Sequence, residues 1–229
     1  MSEPTPRGTA VVVGASSEIG GAIAHRLEDL GWSLDVWGRD RAALAPRFPA
    51  AAVHEVDLRD RAAVEEALAT CAPPLTTVVH AAGVFDWCDA EEADLDTWDE
   101  VFDVNLSSAA RLSRLALPWL LRSAPSSLVL IGSTAAHQAF PHNAAYVASK
   151  HGLTGLAGAV RAEVGARGVA VTIVNPGMVA SGAALGSDRG RTRPESLLRP
   201  GDVAAAVAYA VCAPPHACIS RIDLTAREP

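Results

Sequence analysis

The sequence has no apolar run approaching the ~18 residues that a membrane-spanning helix needs. It has no Lys/Arg-rich run either, and 19 Lys+Arg stand against 26 Asp+Glu for a formal net charge of −7. That balance argues against nucleic acid or an anionic membrane surface as the main partner. The four cysteines, Cys71, Cys88, Cys212 and Cys218, contain no CxxC pair. Unpaired thiols in a reducing compartment therefore fit better than a disulfide framework or a zinc site, and no metal site is expected. Met1–Gly8 is polar with two prolines and lacks the apolar stretch of a secretory signal, so the expectation is a cytoplasmic protein. Internal repeats and low-complexity linkers are absent.

What is present is the material of one sizeable core: 229 residues, 49% of them hydrophobic and 20% charged. A single domain over residues 1–229 is the default. Apolar β-branched runs alternate with amphipathic ones. Strands are predicted at Thr9–Val13, Trp32–Trp37, Ala51–Val56, Thr76–His80, Ser127–Ile131, Val169–Val174 and Cys218–Leu224. Helices are predicted at Ile19–Leu30, Arg41–Phe48, Ala62–Cys71, Trp98–Arg122, Ala144–Arg167 and Asp202–Cys212, with Pro118 kinking or dividing the fourth. This alternation implies an α/β fold, a parallel sheet with helices on both faces. Residues 182–200 read as a long irregular loop. Its glycines and the mutual repulsion of Arg189, Arg191 and Arg193 predict a mobile lid.

The first strand runs into Gly14-Ala15-Ser16-Ser17-Glu18-Ile19-Gly20 and then a helix. A pyrophosphate needs backbone N–H groups and a helix N-terminus with no side chain in the way. Gly14 permits the tight turn, Gly20 permits close helix packing, and Ser16 and Ser17 can donate hydroxyls. About 20 residues further on, a dinucleotide site reads the adenosine ribose. The second strand ends at Gly38, followed by Arg39 and Asp40. Arg39 suits a 2′-phosphate and favours NADP(H). Asp40 offers the alternative of NAD(H), or simply a helix cap. Asp57, beside Leu58, could accept a bond from an adenine amino group, although Asp57 or Asp60 could equally cap a helix. The small residues Ala81, Ala82 and Gly83 would let backbone lie against the cofactor. His80 reads as structural.

Tyr146 and Lys150 stand one helical turn apart near the start of a long helix. A nearby ammonium and the positive helix N-terminus would favour the phenolate and make Tyr146 a general acid/base. Ser133 follows a strand end, where its hydroxyl could hold a carbonyl oxygen.

From Thr9 to about Leu224 the chain resembles the short-chain dehydrogenase/reductase family. The resemblance rests on an ordered set: the Gly14–Gly20 turn, Asp57, Ala81-Ala82-Gly83, Asn105, Ser133, Tyr146, Lys150 and Asn175-Pro176-Gly177. It implies a Rossmann-type, doubly wound, seven-stranded parallel sheet and a nicotinamide cofactor. It further implies a catalytic tetrad of Asn105, Ser133, Tyr146 and Lys150. Asn105 would hold a water in a proton relay to Lys150, and Lys150 would also bond the nicotinamide ribose. Pro176, Gly177 and Val179 would flank the nicotinamide, and Ser181 would reach its carboxamide. Homodimers or homotetramers are implied on the same ground. The chain departs from the family pattern in three places. Glu18 replaces the middle glycine of the turn, His80-Ala81 replaces the usual Asn-Asn, and Ser181 replaces the usual threonine.

The expected function is an NADP(H)-dependent oxidoreductase that interconverts a carbonyl and an alcohol on a small, partly apolar molecule. Its pocket would be lined by Ala135, His137, Phe140 and Met178, with Phe85 and Trp87 close by. The alternatives are an NAD-dependent dehydrogenase and a non-catalytic nicotinamide sensor or scaffold on this fold.

Overall fold

The computed structural model describes residues 7–227. Seven strands form one parallel sheet: β1 (Thr9–Val13), β2 (Ser33–Gly38), β3 (Ala52–Glu55), β4 (Leu75–His80), β5 (Ser126–Ile131), β6 (Val169–Pro176) and β7 (Arg221–Leu224). Their order is β3-β2-β1-β4-β5-β6-β7. The β-branched runs are buried on both faces, as a sheet covered by helices requires: all five residues of β1 are buried, whereas the edge strands β3 and β7 are half exposed.

On one face, α1 (Glu18–Asp29), α2 (Arg41–Leu44) and α9 (Pro200–Val211) pack Ile23, Leu27, Leu44, Val203 and Val207 against Val12, Val36 and Val174. On the other, α3 (Arg61–Thr70), α5 (Ser108–Arg122) and α6 (Ala144–Val164) pack Val64, Leu68, Leu112, Leu120 and Leu153 against Val11, Val78 and Leu128. The chain reverses direction across the sheet between β1 and β4. Crevices at such switch points lie outside the carboxyl ends of the strands and take ligands.

Three expectations need correction. The predicted helix Trp98–Arg122 is two helices, α4 (Leu95–Phe102) and α5, joined by a π-helical turn at Asp103–Ser107. The break falls there, not at Pro118, which lies inside α5 without ending it. A π turn carries one extra residue per turn and is invisible to an apolar periodicity of 3.6. The short helix expected over Arg41–Phe48 stops at Leu44.

Residues 182–200 are not irregular. They form α7 (Gly182–Gly186), α8 (Asp188–Thr192) and a 3-10 turn at Pro194–Ser196. The arginines tie the segment together instead of forcing it apart. Arg189 donates to the Ser196 hydroxyl at 3.0 Å and to its carbonyl at 3.2 Å, and Arg191 bonds the Gly186 carbonyl. The Ser187 hydroxyl caps α8 by accepting from the Gly190 N–H at 3.0 Å. The segment returns to the sheet through the Ala180 N–H donating to the Leu198 carbonyl (2.7 Å) and the Leu198 N–H donating to the Met178 carbonyl (3.0 Å).

Candidate active site

The β1–α1 turn is shaped by two glycines. Gly14 has φ +80°, and a Cβ there would meet the Ala82 nitrogen at 2.6 Å. A Cβ on Gly20 would meet the Gly14 carbonyl oxygen at 2.2 Å. Only glycine lets this turn fold flat beneath the helix while Ala81-Ala82 passes over it. Ser17 caps α1: its hydroxyl donates to the Gly14 carbonyl at 2.8 Å and accepts from the Gly20 N–H at 3.0 Å. That hydroxyl is committed to the turn and is no free donor for a phosphate, contrary to expectation, whereas Ser16 is exposed. The Ile19 side chain packs toward the core. Glu18 does not lean back over the turn. Its carboxylate accepts from the Gly182 N–H at 3.1 Å and links the turn to α7.

On the adenosine side, the Asp40 carboxylate caps α2 by accepting from the Ala43 N–H at 2.9 Å, and Asp60 caps α3. Arg39 is exposed beside Asp57. Asp57 is clamped by its own neighbour, since the Arg59 guanidinium donates to both carboxylate oxygens at 2.6–3.0 Å. That pairing holds Asp57 below the usual carboxylate range against the opposing cost of partial burial, with Arg39 adding a smaller pull. Leu58 is buried in the core, and its carbonyl accepts from Arg111. Arg47 was not anticipated. It donates to the Ser16 carbonyl at 2.7 Å and brings a second guanidinium to the turn. A contact between residues 31 apart leaves no local sequence signal.

The catalytic candidates do come together. α6 carries Tyr146 and Lys150 one turn apart, and the Lys150 Nζ lies 5.5 Å from the centroid of the Tyr146 ring. Lys150 is 4% exposed and donates to the Ile131 carbonyl at 3.1 Å at the end of β5. Burial lowers it to about 8. Tyr146 runs against expectation. Burial of the phenol raises its pKa, and hydrogen bonding to the Ser133 hydroxyl offsets this only in part. The lysine sits over the ring face instead of bonding the phenol oxygen, so it does not win over desolvation. Phe85 closes the other side of the phenol, edge-on with ring centroids 4.9 Å apart.

Asn105 is placed by the π turn and is fully buried. Its Oδ1 accepts from the Val84 N–H at 2.8 Å, and its Nδ2 donates to the Val84 carbonyl at 3.0 Å and to the Ser149 hydroxyl at 3.1 Å. The amide thus imitates a strand partner for Val84. A Cβ on Gly83 would stand 3.3 Å from Asn105 Oδ1 and 3.7 Å from Lys150 Nζ, so this glycine opens a gap between the two groups. His80, behind them, is fully buried and bonds Ser108 at 2.8 Å. Burial, and secondly the Lys150 charge, push it down to about 3, so it is neutral.

The pocket residues divide. Phe140 and Met178 are exposed at the mouth, but Ala135 is 3% exposed inside a 3-10 turn and lines no open pocket. His137 is drawn to the sheet. Its Nε2 lies 3.0 Å from Asn175 Nδ2 and 3.3 Å from Asp223 Oδ1, a cluster that joins the ends of three distant segments. Pro176 ends β6, and the Gly177 N–H donates to the Leu224 carbonyl at 2.7 Å. Val179 turns into the core. Ser181 precedes α7 with its hydroxyl uncommitted to capping.

A family profile described as short chain dehydrogenase matches residues 8–190. An uncharacterized oxidoreductase of Staphylococcus epidermidis is 28% identical over 223 residues, covering 94% of this chain and 95% of its own. Sulfoacetaldehyde reductase 2 of Chromohalobacter salexigens is 29% identical, covering 93% and 92%. Among solved structures, a candidate NAD(P)-dependent gluconate 5-dehydrogenase of Beutenbergia cavernae, carrying NADP at low occupancy, superposes with a TM-score of 0.85. It is 32% identical and is matched over 96% of this chain and 97% of its own. The order of motifs, the seven-stranded sheet and these relatives agree: the chain belongs to the short-chain dehydrogenase/reductase family and is an NAD(P)-dependent oxidoreductase.

Proposed function

We propose that the protein is an NADP(H)-dependent oxidoreductase interconverting a carbonyl and an alcohol, with Tyr146 as general acid/base. The observation that carries this reading is the buried Lys150, whose Nζ lies 5.5 Å from the Tyr146 ring and donates to the Ile131 carbonyl at the carboxyl end of β5, two residues before Ser133. The dinucleotide fits the β1–α1 turn because Gly14 and Gly20 let the turn fold tightly against α1 and Ala82, and α1 presents its N-terminus there. Pro176, Gly177 and Ser181 would hold the nicotinamide, and that group would supply or accept the hydride when bound. Ser133 and Tyr146 hold the substrate oxygen by hydrogen bonds, and Tyr146 gives or takes its proton. The raised phenol pKa suits the acid role in carbonyl reduction. Lys150 keeps a positive charge at the Tyr146 ring and lowers the cost of the phenolate when it forms. The gap over Gly83 gives room for a water between Asn105 and Lys150 to refill the proton.

The preference for NADP(H) over NAD(H) rests on two observations. Arg39 makes no hydrogen bond among the described residues, and the Asp40 carboxylate is committed to capping α2. NADPH and NADH are titrated against the wild type and Arg39→Ala, and carbonyl reduction is followed for the wild type and Tyr146→Phe. The expected results are tighter NADPH binding that Arg39→Ala selectively weakens, and cofactor binding without turnover in Tyr146→Phe. A wild-type preference for NADH refutes the first point, and near-native kcat in Tyr146→Phe refutes the second. A sensor or scaffold on this fold would bind cofactor and reduce nothing.

A further inference from the structure

Seven large apolar side chains are exposed among the described residues, and five of them, Phe85, Trp87, Phe140, Met178 and Leu185, belong to the segments that follow β4, β5 and β6. Large apolar groups left in water and gathered at one mouth mark a binding surface. Three of the aromatic rings there form a series that begins on the catalytic phenol. Phe85 stands edge-on to Tyr146 at 4.9 Å, Trp87 lies 6.1 Å from Phe85 and His142 lies 5.2 Å from Trp87. The inner ring is 43% exposed and Trp87 is 63% exposed.

The ladder is fastened, not trailing. The Cys88 N–H donates to the His142 carbonyl at 2.7 Å, and His142 pairs with Asp89. His142 holds φ +64°, a left-handed conformation that a histidine adopts at a cost and that surrounding contacts must maintain. The two loops bracketing the phenol are thus bound to each other, with aromatic faces turned outward.

Charge narrows the ligand. Residues 62–110 contain no lysine or arginine, and residues 84–103 alone carry nine Asp and Glu. The neighbouring acids Asp86, Glu92 and Asp89 join burial in raising the pKa of Cys88 beside the ladder, so this wall is electronegative. Segment 123–149, which supplies Ser133, Phe140 and His142, has no lysine or arginine either. An anionic substrate would find no permanent cation on either loop.

We infer that the substrate is an aryl ketone, or the matching secondary alcohol, that bears no negative charge. Its ring lies along Phe85 and Trp87 while its oxygen reaches Ser133 and Tyr146. This rests on the oxidoreductase reading above and adds the chemical class of the substrate. In the reductive direction the carbonyl carbon gains the hydride from NADPH and its oxygen gains the Tyr146 proton. NADP+ and the alcohol leave, and solvent returns the proton.

The test uses the full chain with saturating NADPH and compares acetophenone, para-carboxyacetophenone and butanone by loss of nicotinamide absorbance. One aromatic contact changes affinity by about tenfold, so kcat/KM for acetophenone should exceed that for each of the others by about that factor. Trp87→Ala should lower the acetophenone-to-butanone ratio of kcat/KM by about tenfold, chiefly through KM, and Trp87→Phe should restore it to within about threefold. Preferred reduction of the carboxylate-bearing or aliphatic ketone overturns the inference and leaves the oxidoreductase reading standing. A ratio unmoved by Trp87→Ala also overturns it, and a simultaneous change in oligomeric state would reassign the ladder to a contact between copies. Failure to reduce any carbonyl while NADPH binds overturns both readings.

Discussion

Replacing Asn105 by alanine removes an amide that is fully buried and makes three hydrogen bonds. Three hydrogen bonds vanish together, two to the Val84 peptide and one to Ser149. A buried polar group left unpaired costs about 1–3 kcal/mol. The Val84 groups are half-buried and regain some water. Ser149 keeps its bond to the Tyr146 carbonyl at 2.7 Å and loses only an accepted one. The small cavity adds to the loss, and the sum is about 3 kcal/mol. Val84 immediately precedes Phe85, which rests on Tyr146, so the same change loosens the wall of the Tyr146 phenol. Urea unfolding should show a lower midpoint with an unchanged m value, and kcat should fall with it. Asn105→Asp keeps the acceptor for the Val84 N–H but sets its second oxygen against the Val84 carbonyl, so it should lose nearly as much. A loss below about 1 kcal/mol for Asn105→Ala would refute the reasoning, because the π turn and Val84 would then be held by something else.

Three further outcomes follow from the same geometry. Lys150 falls from an ordinary 10.5 to about 8 on burial, so between those values the native state binds fewer protons than the unfolded one and stability rises with pH. Lys150→Met should abolish turnover, lack that rise and keep or raise Tm at pH ~7; a drop of more than about 5 °C would contradict this. His80 falls from 6.5 to about 3, so stability declines as pH drops through that window. His80→Asn should flatten the decline in urea unfolding measured at several acidic pH values, and an equal acid loss would exonerate His80. Limited trypsin digestion should cut the protein after the exposed Arg191 before the half-buried Arg189, whose guanidinium is engaged with Ser196, and saturating NADPH should slow both cuts if α7 and α8 close over the cofactor. Cutting unaffected by bound NADPH would leave Glu18–Gly182 as a static tie.

The sheet was legible because its signals are local. Val11–Val13, Val78–Val79 and Leu128–Ile131 are short apolar runs bounded by turn residues, and each became a buried strand. The catalytic candidates were legible because the helical spacing of Tyr146 and Lys150 and the strand-end place of Ser133 are also local. What escaped depends on distance or on backbone detail. The π turn that aims Asn105 inward leaves no periodic trace. The sequence places arginines in residues 182–200 without saying that Arg189 finds Ser196. The tie between His137, Asn175 and Asp223 joins three strand ends that only the folded sheet brings together. The Tyr146 pKa was misjudged because proximity of an ammonium in sequence says nothing about whether it faces the oxygen or the ring.

Lys150 is the only lysine of the chain; the other 18 basic side chains are arginines. The folded exterior therefore offers no ε-amine. Amine-directed crosslinking, biotinylation or enzymatic acylation has no lysine on this surface to act upon, apart from the terminal α-amino group. An acyl group reaches the single ε-amine only when the site opens to admit the reagent. The fraction of chains carrying one internal adduct, read by intact-mass spectrometry, is then a direct count of opening events. A ligand seated on Tyr146 should lower that count without any change in reagent or pH.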